Sequence, residues 1–76
     1  MDAGTIQTMI EQALPDARVA VRGDDGVHFE ATVVSAAFAG KPPLARHRLV
    51  YAALGERMGE EIHALSLTTR TPEEAA

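Results

Sequence analysis

A chain of 76 residues with 46% apolar and 24% charged side chains is expected to form one domain, 1–76, around one core. A domain of this size buries only about 60% of its unfolded surface, which argues against a deep substrate pocket and a self-sufficient enzyme. A net charge of −4, three aromatic residues and no cysteine argue against strong nonspecific nucleic-acid binding and rule out disulfides, thiolate zinc sites and an iron–sulfur cluster held on the chain's own thiolates.

The N-terminal stretch MDAGTIQTMI has no basic region ahead of an apolar run, so no signal peptide is expected. No segment approaches the roughly 20 apolar residues of a membrane span, and a cytoplasmic location is expected. Ile6, Met9, Ile10, Ala13 and Leu14 recur at helical spacing, with Asp2 or Thr5 as cap and Pro15 after the end. Ala17, Val19 and Val21 alternate with Arg18, Ala20 and Arg22, the period of a half-buried strand. Gly23-Asp24-Asp25-Gly26 is turn chemistry, and Val27–Ser35 reads as a second strand paired antiparallel with the first. Phe29, Ala31 and Val33 form its better core face, leaving His28, Glu30, Thr32 and Val34 on the other.

Ala36–Gly40 is a tight connector with Phe38 turned inward. Pro42 or Pro43 suits the first turn of a helix, predicted from Pro43 to Met58 and ended by Gly59. A wheel places Leu44, His47, Val50, Tyr51, Leu54 and Met58 on one face, with His47 buried and hydrogen-bonded and Leu49 and Ala53 outside. Ile62–Thr69 reads as a third strand with His63, Leu65 and Leu67 on one side. The strand–helix–strand connection predicts a parallel crossover. Thr71-Pro72-Glu73-Glu74 resembles a capped helix start. The expected fold is α+β, in the order α-β-β-α-β, with a mixed three-stranded sheet and helices on one face.

The run HFEATVVSAAFAGKPPLARHRLVYAAL, followed by IHALSLTTRTPEE, resembles the BolA family from Ile6 to Glu74. Its most specific blocks are Val33-Val34-Ser35 with Phe38 and Gly40-Lys41, then Arg46-His47-Arg48-Leu49-Val50-Tyr51, then Ile62-His63-Ala64-Leu65. The short loop before His28-Phe29 is similar to that of compact bacterial members. The resemblance implies a class II KH-like fold, a monothiol glutaredoxin partner and a bridging [2Fe–2S] cluster, with glutathione supplied on the partner's side. It implies an adaptor in cluster assembly, trafficking or iron homeostasis rather than an enzyme. For the chain alone, monomer and weak dimer are both open readings. It also implies a cluster-ligand role for the histidine of the Ile-His-Ala-Leu block, here His63. The family's second ligand, Cys or His, comes from the loop between the first strands, but Gly23–Gly26 holds neither. His28 is the nearby substitute, and a ligand or a solvated strand residue are both open readings for it.

Some family members are transcription regulators that bind DNA through a KH-like surface, the alternative function. Lys41, Arg46, Arg48 and Arg57 form the one local excess of positive charge. Lys41, Arg46 and Arg48 are the candidate docking residues, since guanidinium groups pair with phosphate and carboxylate alike. The loop Gly23-Asp24-Asp25-Gly26 matches the spelling of a Gly-x-x-Gly nucleotide clamp, but its two acids would repel phosphate. Gly40-Lys41 lacks the rest of a phosphate loop, and no catalytic constellation is visible.

Overall fold

A computed structural model describes all residues, 1–76. Helix α1 (Ala3–Ala13) starts at Asp2, whose carboxylate accepts the Thr5 N–H at 2.8 Å. This is a side-chain cap on one of the orphan donors of a helix start. The helix sends Ile6 and Ile10 into the core, both fully buried. Strands β1 (Arg18–Arg22), β2 (His28–Val34) and β3 (Ala64–Arg70) form one sheet in that spatial order. β1 is antiparallel to β2, and β3 is parallel to it. The expected mixed sheet is therefore present, with β2 in the middle.

The alternation in β2 works as anticipated. Phe29, Ala31 and Val33 are buried, whereas His28, Glu30 and Thr32 are exposed. The registers line up Val21, Ala31 and Leu67 across the sheet, and Val19 with Val33 beside them. These residues face α1 and α2, so the opposite sheet face carries Arg22, Glu30, Thr32, Ser66 and Thr68 in solvent. A short 3-10 turn (Ala36–Phe38) follows β2 and drives Phe38 into the core with no exposed surface.

That turn rests on a network that local pattern did not indicate. The buried Ser35 hydroxyl donates to Asp16 at 2.9 Å and accepts the Ala37 N–H at 3.1 Å. Asp16 also accepts the Ala36 N–H at 2.8 Å. That backbone bond, followed by the Ser35 hydroxyl, holds the Asp16 carboxyl below its ordinary value. No buried side-chain nitrogen or oxygen is left without a hydrogen-bond partner, as the buried Ser35 hydroxyl requires.

Helix α2 departs from expectation in length and in phase. It spans Pro43–Leu54 rather than reaching Met58, and a 3-10 turn (Gly55–Arg57) follows it. Gly55, not Gly59, ends the helix, with φ 58° and ψ −136°. That region is essentially open only to glycine. A Cβ at Gly55 would meet nothing within 4 Å, so a substitution there costs conformation and not space. Gly55→Ala is expected to lower stability by about 1–3 kcal/mol, read as a lower urea midpoint at unchanged slope.

The buried stripe of α2 is Val50 and Leu54, with Arg46, Leu49 and Ala53 half-buried beside them. Leu44 is 62% exposed and Tyr51 38% exposed, so these two do not face the core, and Leu49 and Ala53 are not outside. The helix carries apolar residues around most of its circumference, so the wheel alone does not choose a face. Packing on the sheet and on α1 chooses it. His47 is half-buried with its ring edge-on to Tyr51, at 6.4 Å between centroids, and the ring makes no hydrogen bond. It is not the hydrogen-bonded core histidine that its wheel position suggested.

β3 also begins later than expected. Ile62 forms an isolated bridge with Met58, its N–H donates to Arg57 O at 2.9 Å, and its carbonyl accepts the Gly59 N–H at 2.9 Å. This tight turn buries Ile62 completely and puts His63 outside, between the bridge and the strand. His63 is therefore exposed, whereas Leu65 and Leu67 are half-buried. A four-residue helix α3 (Pro72–Ala75) closes the chain with a capping box between Thr71 and Glu74.

Candidate functional site

The end of the sheet where β2 and β3 both begin gathers two of the three histidines. His28 is the first residue of β2 and pairs with Ala64, the first residue of β3. His63 immediately precedes Ala64, so parallel pairing brings the two histidine positions to one end of adjacent strands. Both are exposed. His63 has no hydrogen-bond or ion-pair partner, so its ring nitrogens are open to an outside group.

The loop before β2 shapes the other half of this end. Gly23 has no room for a side chain: a Cβ would lie 2.5 Å from the Phe29 ring and 2.6 Å from the His28 carbonyl oxygen. The loop thus folds directly onto the start of β2. Asp25 takes up three donors there: the Val27 N–H at 2.9 Å, the His28 N–H at 2.8 Å and His28 Nδ1 at 2.8 Å. The His28 ring, then the two backbone N–H groups, hold the Asp25 carboxyl far below the usual carboxylate range. The sequence reads the two acids of this loop as turn residues and as a charge that repels phosphate, and neither reading singles out Asp25. A signal was available, since an Asp two to three residues before a strand commonly folds back on backbone N–H groups.

No cluster of three or more His, Asp or Glu side chains is arranged around a common point. The chain by itself therefore does not close a coordination shell. What it offers is two neutral-capable imidazoles at one edge, a donor set that fits half of a site shared with another molecule. Imidazole is a competent ligand for iron, and His ligation is known to replace thiolate on [2Fe–2S] centres.

The three basic candidates separate sharply. Lys41 and Arg48 are exposed and make no ion pair. The Arg46 side chain is only 12% exposed and is occupied. Its Nη1 and Nη2 donate to the two Glu74 oxygens at 2.6 and 3.2 Å, and its Nε donates to the Lys41 carbonyl at 2.7 Å. Arg46 is thus a clamp between the start of α2 and the chain's last helix, a bidentate geometry that fixes direction as well as charge. Arg57 contacts Met9 Sδ and Glu61 instead of joining a patch.

The Arg46 guanidinium, with the Thr71 N–H, holds the Glu74 carboxyl down at about 2. A carboxyl depressed in the folded state stabilises above its ordinary value, 4.5, and that contribution is lost as pH falls towards 2. The melting temperature of the parent chain is expected to drop between pH 4.5 and 2. Glu74→Gln should melt lower at pH 7 and change less over the acid window, because it has no proton to take up. Thermal melts across that window measure both.

Comparison with known proteins decides the family. A family model described as BolA-like protein matches residues 7–74. The chain belongs to the BolA-like family. Human BolA-like protein 1 is 42% identical over 76 aligned positions, covering 88% of this chain and 56% of the human protein. A Vibrio cholerae relative, named DNA-binding transcriptional regulator BolA, is 49% identical over 53 residues, covering 70% of this chain and 49% of that protein. This BolA-like chain thus spans about half the length of these curated relatives. The solved structure of a bolA protein homologue from Coxiella burnetii superposes with a TM-score of 0.87 at 49% identity, covering 99% of this chain and 96% of that one. The α-β-β-α-β order and mixed sheet are therefore the BolA fold. No helix of this BolA-like chain is long and apolar enough to cross a membrane.

Proposed function

We propose that this BolA-like chain is a non-catalytic adaptor of iron–sulfur cluster assembly, trafficking or iron homeostasis, working in the cytoplasm. Its partner is a monothiol glutaredoxin, and the two share a bridging [2Fe–2S] cluster. His63 and His28 supply imidazole nitrogen from this side, and the partner's cysteine and glutathione supply thiolate from the other. The cluster would bring redox-active iron to the junction, at a potential raised by histidine ligation. The observation that carries the reading is the meeting of His28 and His63 positions at one exposed sheet end, in a chain with no thiol. Without cysteine, the partner is obligatory.

The test is a titration of the chain against a cluster-loaded monothiol glutaredoxin, followed by visible absorption and circular dichroism. A new spectrum that saturates at a fixed ratio is the expected result. Spectra that are the plain sum of the components would remove the proposal.

A second reading has one specific support, the DNA-binding regulator name of the Vibrio relative. In this reading Lys41 and Arg48 face phosphate, since Arg46 is held by Glu74. Two free cations would give a shallow salt dependence, with a slope of about −0.9 per phosphate neutralised. Adding duplex DNA to the same titration at low salt separates the readings. Retention lost on replacing Lys41 and Arg48 supports DNA binding, and no retention removes it.

A further inference from the structure

Asp25 is more firmly held than a surface ion pair would be. Its Oδ1 accepts the N–H groups of both Val27 and His28, at 2.9 and 2.8 Å. Its Oδ2 is thereby aimed at His28 Nδ1, at 2.8 Å. Asp24, its neighbour in the loop, makes no such contact. An ionised carboxylate has only lone pairs to offer. When the ring is neutral, Nδ1 must therefore carry the proton, and Nε2 keeps a bare lone pair. Unconstrained histidine prefers the opposite arrangement, with the proton on Nε2. The His28 side chain is 73% exposed, so the bare nitrogen is within reach of an outside metal.

We propose that Asp25 is a positioning residue: it holds the His28 imidazole in the Nδ1–H tautomer and so prepares Nε2 to bind a metal. The proposal rests on the reading of His28 as the second ligand. The arrangement is carboxylate–histidine–metal, in which the outer carboxylate fixes the tautomer and orients the ring. It accounts for a loop that carries no ligand of its own: the loop acts on the ring through Asp25. Two backbone donors fix the carboxylate before any metal arrives, so little ordering remains to be done on binding.

Asp25→Asn isolates this role. The Asn Oδ1 still accepts from Val27 and His28, so the turn is kept. The second position becomes an NH₂ donor, which demands a bare Nδ1 and moves the ring proton to Nε2. Tautomers are read from imidazole ¹⁵N shifts of the labelled chain alone, near pH 8.5, about two units above an ordinary histidine pKa. Metal affinity is read from the His28 ring resonances during titration with Ni²⁺. The expected result is Nδ1–H in the parent, Nε2–H in Asp25→Asn, and roughly 10- to 100-fold weaker Ni²⁺ binding at His28 in the variant. A merely structural Asp25 would let Asn change neither readout, and that result overturns the proposal. So does an Nε2–H ring in the parent, which decides the matter even if the variant does not fold. Neither readout involves a glutaredoxin. A failed glutaredoxin titration with the parent tautomer intact counts against the shared cluster and not against Asp25.

Discussion

His63→Ala is expected to abolish the spectral change on mixing with cluster-loaded glutaredoxin while the chain melts as the parent does. The two halves of this result have separate causes. His63 is exposed, lies outside β3 and contacts no partner, so its removal opens no cavity and orphans no buried group. Ile62, its neighbour, carries the packing at this point and is fully buried. In the proposed shared site, by contrast, His63 supplies one of two nitrogens, and losing an outer-shell partner already weakens metal sites by about 10- to 100-fold. Losing a ligand should exceed about 100-fold. The measurement is the glutaredoxin titration run with both chains, beside thermal melts of each alone. Parent-like spectra from the variant would remove His63 from the ligand set, and a large drop in melting temperature would mean that it serves the fold.

Phe38→Ala should produce the largest loss of stability of any single truncation considered. Phe38 is the largest fully buried side chain, and it packs among Ile6, Ile10, Phe29, Val33, Val50, Leu54 and Ile62. That cluster joins α1, β2, α2 and the turn before β3. Truncating a buried Phe costs about 3–5 kcal/mol through lost transfer energy and the cavity left behind. Typical stability of about 0.05–0.15 kcal/mol per residue amounts to roughly 4–11 kcal/mol for a 76-residue chain. At the lower end of that range the loss takes about all of the stability, and at the upper end roughly a quarter to a half of it. Urea unfolding should show a much lower midpoint, and Phe38→Leu, which refills most of the volume, should recover the greater part. A midpoint near the parent's for Phe38→Ala would mean that the core collapses around the gap at little cost.

The histidines show where legibility in the sequence stopped. The alternation around Phe29, Ala31 and Val33 puts His28 on the outer face of a strand expected over Val27–Ser35; β2 buries that set but opens at His28 and ends at Val34. The parallel crossover was legible as well, but the register that pairs His28 with Ala64 is what brings His63 to the same sheet end. The side on which His63 lies did not follow, because its parity with Leu65 and Leu67 pointed inward. The Gly59–Ile62 turn takes up the backbone groups of Ile62 before the strand begins, so His63 precedes β3 and is exposed. Arg46 shows the same limit for charge. Its place in the Arg46-His47-Arg48 block suggested a docking patch, and only the return of Glu74 to the start of α2 reveals it as occupied.

By itself the sequence determined the order of elements, the inward face of β2, the burial of Phe38 and the lack of any thiol. Each of these is set by composition or by in–out alternation over a few residues, which a strand or turn enforces locally. Tertiary structure alone decided which side of α2 is buried, that Arg46 pairs with a carboxylate 28 residues away, and that Asp16 supports Ser35 from 19 residues away. It also decided that the His63 ring stands in solvent at the sheet end where His28 begins its strand. Such outcomes depend on which distant groups the folded backbone brings within hydrogen-bond reach and which surfaces it covers. Local periodicity contains neither.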